Sequence, residues 1–322
     1  MGVIGVGRMG GVICERLAAA GWAVSATDLR PELAPGLRAV GARWAPDIPA
    51  LIDEAEVLLT VLPGTAEMQD VMAMAMARLR RGMAWIDLTT ADPRPAQALV
   101  HEAEARGVEP LDAMLGGGVP AARGGSLQLF VGGEAGAVER HRPLLQVLGR
   151  VEHVGGPGAG RLVKLIVNLL WFGQAVAVSE ALLVARRGGL DLDVVADVLG
   201  RSPAASTFVS DDLPGLLVGD YRDSFGLERC CEQLDAITGL ARELGVPFEL
   251  SEAARDAFGA ALERFGPVDG ELRAIALLEE RAGVALRGGA PDAAADLPSR
   301  TQSGADTVPP GPVAQSVRAA DS

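Results

Sequence analysis

Three groups of residues in this sequence have the types and spacing to do chemistry. The first is Gly5-Val6-Gly7-Arg8-Met9-Gly10. In such a hexapeptide the first glycine permits a tight turn, the second lets a pyrophosphate approach the backbone, and the third lets a helix pack closely against a strand. The helix start then offers unpaired N–H groups and partial positive charge to the phosphates. The second group is Gly116-Gly117-Gly118, at the end of an apolar run that includes Leu111, Ala113 and Leu115. Consecutive glycines expose consecutive N–H groups, a cradle for a carboxylate; such a run is equally a plain flexible turn. The third group is Lys164 with Asn168, spaced to share one helix face. Apolar neighbours Leu165, Ile166 and Val167 would desolvate the amine and lower its pKa toward the value a general acid/base needs near neutral pH. A lysine near a helix start can instead stretch its stem and keep the ammonium in water, and both readings stand at this point.

The elements that must position these groups can be read from hydrophobic periodicity. Short β-branched runs at Met1–Ile4, Ala23–Thr27, Val57–Leu62, Ala84–Leu88, Pro110–Ala113 and Leu127–Val131 alternate with segments of helical length at Met9–Ala20, Thr65–Leu79 and Pro93–Ala105. Strands alternating with helices imply βαβ units and a parallel sheet. After the breaker Gly155-Gly156-Pro157-Gly158 the pattern changes to Ala/Leu/Glu/Arg-rich segments, which reads as an all-helical second domain. The predicted fold is therefore α/β: a Rossmann-type dinucleotide-binding domain over residues 1–156, then an all-α domain over 157–287. Residues 288–322 hold few large apolar side chains and are predicted to be a disordered tail.

Composition narrows the function classes. With 29 Lys+Arg against 42 Asp+Glu, the net charge of −13 argues against a nucleic-acid partner or an anionic membrane surface. Cys14, Cys230 and Cys231, with three histidines, form no spacing expected of a metal site or a disulfide framework. The apolar stretch Leu165 to Ala185 contains Asn168, Gln174, Ser179 and Glu180, which are costly in lipid, so it reads as a helix buried inside protein. No secretion signal is recognisable, and a cytoplasmic location is expected.

The glycine hexapeptide gains weight from an acidic residue downstream. Asp28 closes the second strand, eighteen positions after Gly10. A carboxylate there can accept from both adenosine ribose hydroxyls and repels a 2′-phosphate, which favours NAD. Arg30, two positions on with Leu29 between, is a candidate phosphate partner that keeps NADP open, or else a plain surface charge.

Taken in order, Gly5–Gly10, Leu62-Pro63, Asp87-Leu88-Thr89-Thr90-Ala91-Asp92-Pro93, Asp112–Gly118, Val131-Gly132-Gly133, Gly158–Asn168, Glu180-Ala181 and Phe265-Gly266-Pro267-Val268-Asp269 resemble the β-hydroxyacid dehydrogenase family over about residues 1–287. The resemblance implies an NAD(P)-dependent oxidoreductase that moves a hydride between nicotinamide and a small β-hydroxy acid such as 3-hydroxyisobutyrate. It implies that Lys164 is the general acid/base, Asn168 the substrate-side amide and Gly116–Gly118 the carboxylate loop. It places Leu62, Pro63, Glu67 and Thr90 at the cofactor, beside Val6, Arg8 and Met9 of the glycine turn. It further implies a homodimer or homotetramer formed through the helical domain. Three departures stand out: Gly116 replaces the family's serine, which removes a hydroxyl donor to the substrate; Val167 replaces the first of two consecutive asparagines; and Glu232-Gln233 replaces a Lys-Asp pair whose lysine lies near the cofactor, which reverses the local charge. These departures leave an NADPH-dependent imine reductase and a non-catalytic cofactor-binding protein as competing readings.

Overall fold

A computed structural model of the chain describes residues 1–223 and 225–287; the tail expected over 288–322 lies outside them. The first part is a single eight-stranded sheet built from β1 (Gly2–Ile4), β2 (Ser25–Thr27), β3 (Arg43–Trp44), β4 (Val57–Thr60), β5 (Ala84–Asp87), β6 (Glu109–Gly116), β7 (Leu127–Gly132) and β8 (Gly149–Gly155). Helices α1 (Arg8–Ala19), α2 (Ala34–Ala39), α3 (Ile48–Asp53), α4 (Thr65–Ala75), α5 (Pro93–Ala105), α6 (Gly118–Gly124) and α7 (Ala135–Gln146) connect them. The strand order is β3-β2-β1-β4-β5-β6-β7-β8, parallel throughout except that β7 runs antiparallel to β6. Order reverses between β1 and β4, and the carboxyl ends of the strands at such a reversal are where open α/β sheets take ligands.

Successive strand residues point to opposite faces, and the core divides accordingly. Val3, Leu59 and Ile86 pack on the face covered by α1, α6 and α7, while Ile4, Leu58 and Trp85 pack on the face covered by α3, α4 and α5. Six of the strands lie where the periodicity predicts. The two it missed have physical reasons. β3 is only Arg43–Trp44, too short to show alternation. β8 reads Gly-Arg-Val-Glu-His-Val-Gly and lies half-exposed at the sheet edge, so it carries no apolar run. β6 also outruns the expected Pro110–Ala113, and Gly116 is its last residue, paired with Gln128, rather than part of a free loop.

The second part comprises α8 (Ala159–Arg187), α9 (Leu192–Gly200), α10 (Leu213–Leu217), α11 (Leu227–Glu243), α12 (Glu249–Phe265) and α13 (Arg273–Ala282), with a π-helical turn at Phe208–Asp212. At 29 residues α8 is about 43 Å long. Its first turns pack on β6, β7 and β8, and the rest on α11, α12 and α13. Among the described residues it is one helix long and apolar enough to cross a membrane by length and composition. It is less enclosed than its sequence suggests, with 33% of its most apolar window buried. Leu165, Leu169, Phe172, Val176 and Leu182 form the inner stripe, whereas Ile166, Val167, Leu170 and Val184 are exposed. Neighbouring helices cover only one side of it.

Candidate active site

The glycine turn joins β1 to α1, and its three glycines are required for three different reasons. Gly5 has φ +94°, and a Cβ on it would lie 2.2 Å from the Val61 carbonyl oxygen. A Cβ on Gly10 would lie 2.0 Å from the Gly5 carbonyl oxygen, so the helix could not approach the strand. A Cβ on Gly7 would meet only Arg30 Nη2, at 3.4 Å. Strand and helix geometry therefore demand the outer two, while the middle one keeps clear the approach to a helix start. Gly7 caps α1 without a side-chain hydrogen bond, so no side chain of the cap occupies the first-turn N–H groups. These are the requirements of a dinucleotide pyrophosphate, and the residues present fit it. Val6 is buried and Met9 packs on the sheet core. The Arg8 side chain reaches the helical part, donating to the Asp223 carbonyl at 3.1 Å and to Asp269 Oδ2 at 3.4 Å.

Asp28 follows β2 at the same end of the sheet. Its carboxylate accepts from the Val6 N–H at 2.8 Å and is paired with Arg30, Nε to Oδ1 at 3.0 Å. Burial acts to raise its pKa, but the hydrogen bonds from the Arg30 side chain and from the Val6 and Arg30 N–H groups outweigh burial and hold it below the usual carboxylate range. Leu29 points into solvent, 94% exposed.

The helical part begins with α8, whose first turns rest on β6, β7 and β8, and its root is anchored by groups whose role the sequence reading did not find. Gly158, at φ +91°, offers no capping side chain. Asp112 of β6 takes over that task by accepting from the Gly158 N–H at 2.7 Å and from the Arg161 N–H at 2.8 Å. The Arg161 side chain turns down into the sheet and pairs with Asp87 at 2.5 Å, both groups being essentially inaccessible. Asp87 also accepts from Thr60 Oγ1 at 2.6 Å and from the Thr89 N–H at 3.1 Å. Burial raises the pKa of Asp112, opposed by the Arg161 charge and by the two N–H bonds. An arginine two residues inside a strongly apolar helix was the available signal: a buried guanidinium requires a carboxylate partner.

One turn beyond Arg161, Lys164 is half-buried. Among the described residues its ammonium makes no hydrogen bond or ion pair. Burial pushes its pKa down to about 8, while the charge of Glu271, just before α13, acts in the opposite direction. Asn168 lies one turn further along the same face and donates to Gln233 Oε1 of α11 at 2.5 Å. Gln233 is itself buried, so this bond fixes the orientation of the Asn168 amide. A group with a pKa near 8 can exchange a proton with substrate in either direction at physiological pH.

The remaining candidates sit at or just after the carboxyl ends of β4, β5 and β6, and on α4 and α11. Gly117 and Gly118 are exposed, at φ +102° and +67°. Gly116 is buried, and a Cβ on it would lie 3.3 Å from Gln128 Cβ. The Leu62 N–H is held by Thr89 Oγ1 at 3.1 Å; Pro63 is exposed and Thr90 is half-buried. Glu67, in the first turn of α4, and Glu232, on α11, come together through a residue that sequence reasoning passed over. Arg229 donates to Glu67 Oε1 at 2.6 Å and to Glu232 Oε2 at 2.9 Å, directly over Gly64. A positive charge thus does occupy this wall, one turn before Glu232. The three cysteines are free and buried, and burial raises each thiol pKa, that of Cys14 to about 12.

Comparisons with known proteins match both parts of the chain. Residues 1–156 fit the family profile described as the NAD binding domain of 6-phosphogluconate dehydrogenase, and residues 158–278 fit the one described as NAD-binding of NADP-dependent 3-hydroxyisobutyrate dehydrogenase. The chain is similar to a 3-hydroxyisobutyrate dehydrogenase of Pseudomonas aeruginosa, 34% identical over 203 residues, 62% of this chain and 68% of that one. It is also similar to an NAD-dependent L-serine dehydrogenase of the same species, 30% identical over 251 residues, 74% of this chain and 83% of that one. Among solved structures, Psf3 in complex with NADP+ and 2-OPP has a TM-score of 0.75 at 29% identity, covering 86% of this chain and 99% of that one. An imine reductase from a Pseudomonas species is more distant, with TM-score 0.57 at 17% identity over 88% of this chain and 98% of that one, and shares the fold alone. A glycine turn at the sheet's switch point, a helical half planted on that sheet and relatives matched across both halves lead to one assignment: the chain belongs to the β-hydroxyacid dehydrogenase family and is an NAD(P)-dependent dehydrogenase.

Proposed function

We propose that the chain oxidises the hydroxyl-bearing carbon of a small β-hydroxy acid, and reduces the corresponding carbonyl, with Lys164 as general acid/base. The observation that supports this reading is a half-buried amine, brought by burial to about 8, on the helix whose first turns rest on the sheet that carries the glycine turn. When bound, the nicotinamide accepts or returns the hydride at that carbon. In oxidation the neutral Lys164 amine takes the hydroxyl proton, and in reduction its ammonium gives that proton to the carbonyl oxygen. Asn168, steadied by Gln233, orients the reacting oxygen beside Lys164. The N–H groups of Gly117 and Gly118 hold the substrate carboxylate; Gly116, inside the sheet with no hydroxyl, leaves that end of the pocket wider. The first-turn N–H groups of α1 hold the pyrophosphate, and Asp28 and Arg30 face the adenosine ribose. Leu62, Pro63 and Thr90 line the opposite side of the dinucleotide, and Arg229 bridges Glu67 and Glu232 over them.

The test is a substrate panel with NAD and NADP, comprising 3-hydroxyisobutyrate, L-serine and longer β-hydroxy acids in one direction and cyclic imines with NADH and NADPH in the other. Turnover of hydroxy acids is expected. Turnover of imines alone would replace this reading with an imine reductase, and bound dinucleotide without any turnover would leave a binding protein.

We further propose that a second copy of the chain covers the bare side of α8. Ile166, Val167, Leu170 and Val184 of that helix, with Val194 and Val198 of α9, are each at least 40% exposed, an apolar concentration of the kind that marks subunit contacts. Sedimentation velocity is expected to give a dimer or tetramer, and Leu170→Glu is expected to shift it toward monomer; a monomeric parent chain would refute the assignment.

A further inference from the structure

The Asp28–Arg30 pair carries more than a ribose contact. In the free chain the Asp28 carboxylate receives four hydrogen bonds: Val6 N–H to Oδ2 at 2.8 Å, Arg30 N–H to Oδ1 at 3.1 Å, Arg30 Nε to Oδ1 at 3.0 Å and Arg30 Nη2 to Oδ2 at 3.3 Å. A carboxylate has about four acceptor sites, so Asp28 is saturated from within. A ribose hydroxyl that donates to it must displace a bond already made. The two backbone N–H groups are fixed by the fold, and Pro31 restrains the chain immediately after Arg30. The guanidinium is the partner that can leave: the Arg30 side chain is 55% exposed, against 9% for Asp28.

The direction in which it can leave is also defined. Among the described residues, Arg30 Nη2 is the only group within 4 Å of the position a Cβ on Gly7 would take. The guanidinium therefore stands between the ribose end of the proposed site and the glycine turn. Its surroundings are acidic, with Asp28 the main attraction and Glu32 a weaker one. Leu29 beside it brings no polar group.

We infer that Arg30 sets the cofactor choice by exchanging partners, leaving Asp28 for the 2′-phosphate of NADP and yielding Asp28 to the ribose hydroxyls of NAD, so that this chain accepts both dinucleotides. The inference rests on the proposed dinucleotide site. With NADP the planar fork turns from Asp28 to the phosphate, whose oxygens it can take in pairs, and its charge then offsets the repulsion between the two anions. With NAD the hydroxyls take the acceptor sites that Nε and Nη2 give up, and the guanidinium turns to solvent. An aspartate at this point of a Rossmann sheet excludes NADP when it stands alone. Here it does not stand alone.

Calorimetric titration of the full-length chain with NADH and NADPH tests this without turnover. The parent chain is expected to bind both, with dissociation constants within about tenfold of each other. Arg30→Ala removes an exposed side chain, so the fold is retained; it is expected to weaken NADPH by about tenfold or more, the worth of one charge-assisted contact, and to leave NADH unchanged or tighter. Arg30→Lys, which keeps the charge and loses the fork, should fall between the two for NADPH. Asp28→Asn is expected to weaken NADH and spare NADPH. Equal weakening of both cofactors by Arg30→Ala would place the guanidinium on the shared pyrophosphate and overturn the exchange, as would NADPH binding that the substitution leaves unchanged. Failure of the parent chain to bind either dinucleotide would be a different result: it would remove the cofactor reading itself and this inference with it.

Discussion

Lys164→Ala is expected to lower turnover of the hydroxy acid by about a hundred- to ten-thousand-fold, the range that one positioned acid/base supplies, while the dissociation constant for the dinucleotide changes by no more than about twofold. The two readouts separate because Lys164 lies on α8, an element apart from the glycine turn between β1 and α1. The pH dependence sharpens the test. Burial lowers the amine to about 8, so oxidation, which needs the neutral amine, should rise with pH and level off above about 8. Reduction, which needs the ammonium, should be flat below about 8 and fall above it. Opposite limbs sharing one midpoint, both lost in Lys164→Ala, would establish the role. Removing the Glu271 charge should move that midpoint lower, because that charge acts to raise the pKa. If Lys164→Ala lost cofactor binding and kept normal turnover per bound cofactor, the assignment would fail.

The second large effect is on stability. Arg161→Ala leaves the Asp87 carboxylate 1% exposed with only neutral donors, Thr60 and the Thr89 N–H, and takes away the positive charge that favours ionised Asp112. Breaking a buried pair from one side costs about 3–5 kcal/mol, a large share of the roughly 5–15 kcal/mol that holds a protein folded. Urea denaturation followed by circular dichroism should show the midpoint falling accordingly. Arg161→Met with Asp87→Asn, which neutralises both partners and keeps most of the volume, should recover part of the loss. A single substitution costing less than about 1 kcal/mol would mean that water reaches the pair and that α8 is held chiefly by apolar packing.

The sheet and the glycine turn were legible because local rules govern them. Gly5, Gly7 and Gly10 carry their reasons in the chemistry of a strand–turn–helix, and Asp28 is marked by its spacing from them. Lys164 and Asn168 were legible because helical periodicity puts them on one face. What escaped depends on residues far apart in sequence. Gln233 meets Asn168 from 65 positions away, Arg229 meets Glu67 from 162, and Arg161 meets Asp87 from 74. No local pattern marks such pairs; only the folded chain brings them together. The edge strand β8 was missed for the opposite reason: its position at the sheet margin asks for no apolar run.

The borrowed cap at the start of α8 bears on how the protein can be taken apart. A helix whose first amides are satisfied by an aspartate of the sheet, and whose first long side chain is neutralised there, has part of its own foundation in the other half of the molecule. Severing the chain between Gly155 and Ala159 would leave the helical fragment with bare amides and an orphaned guanidinium, and the sheet with two stranded carboxylates. The two halves are therefore expected not to fold apart from one another, and swapping the helical half onto a foreign sheet would require transplanting Asp87 and Asp112 with it.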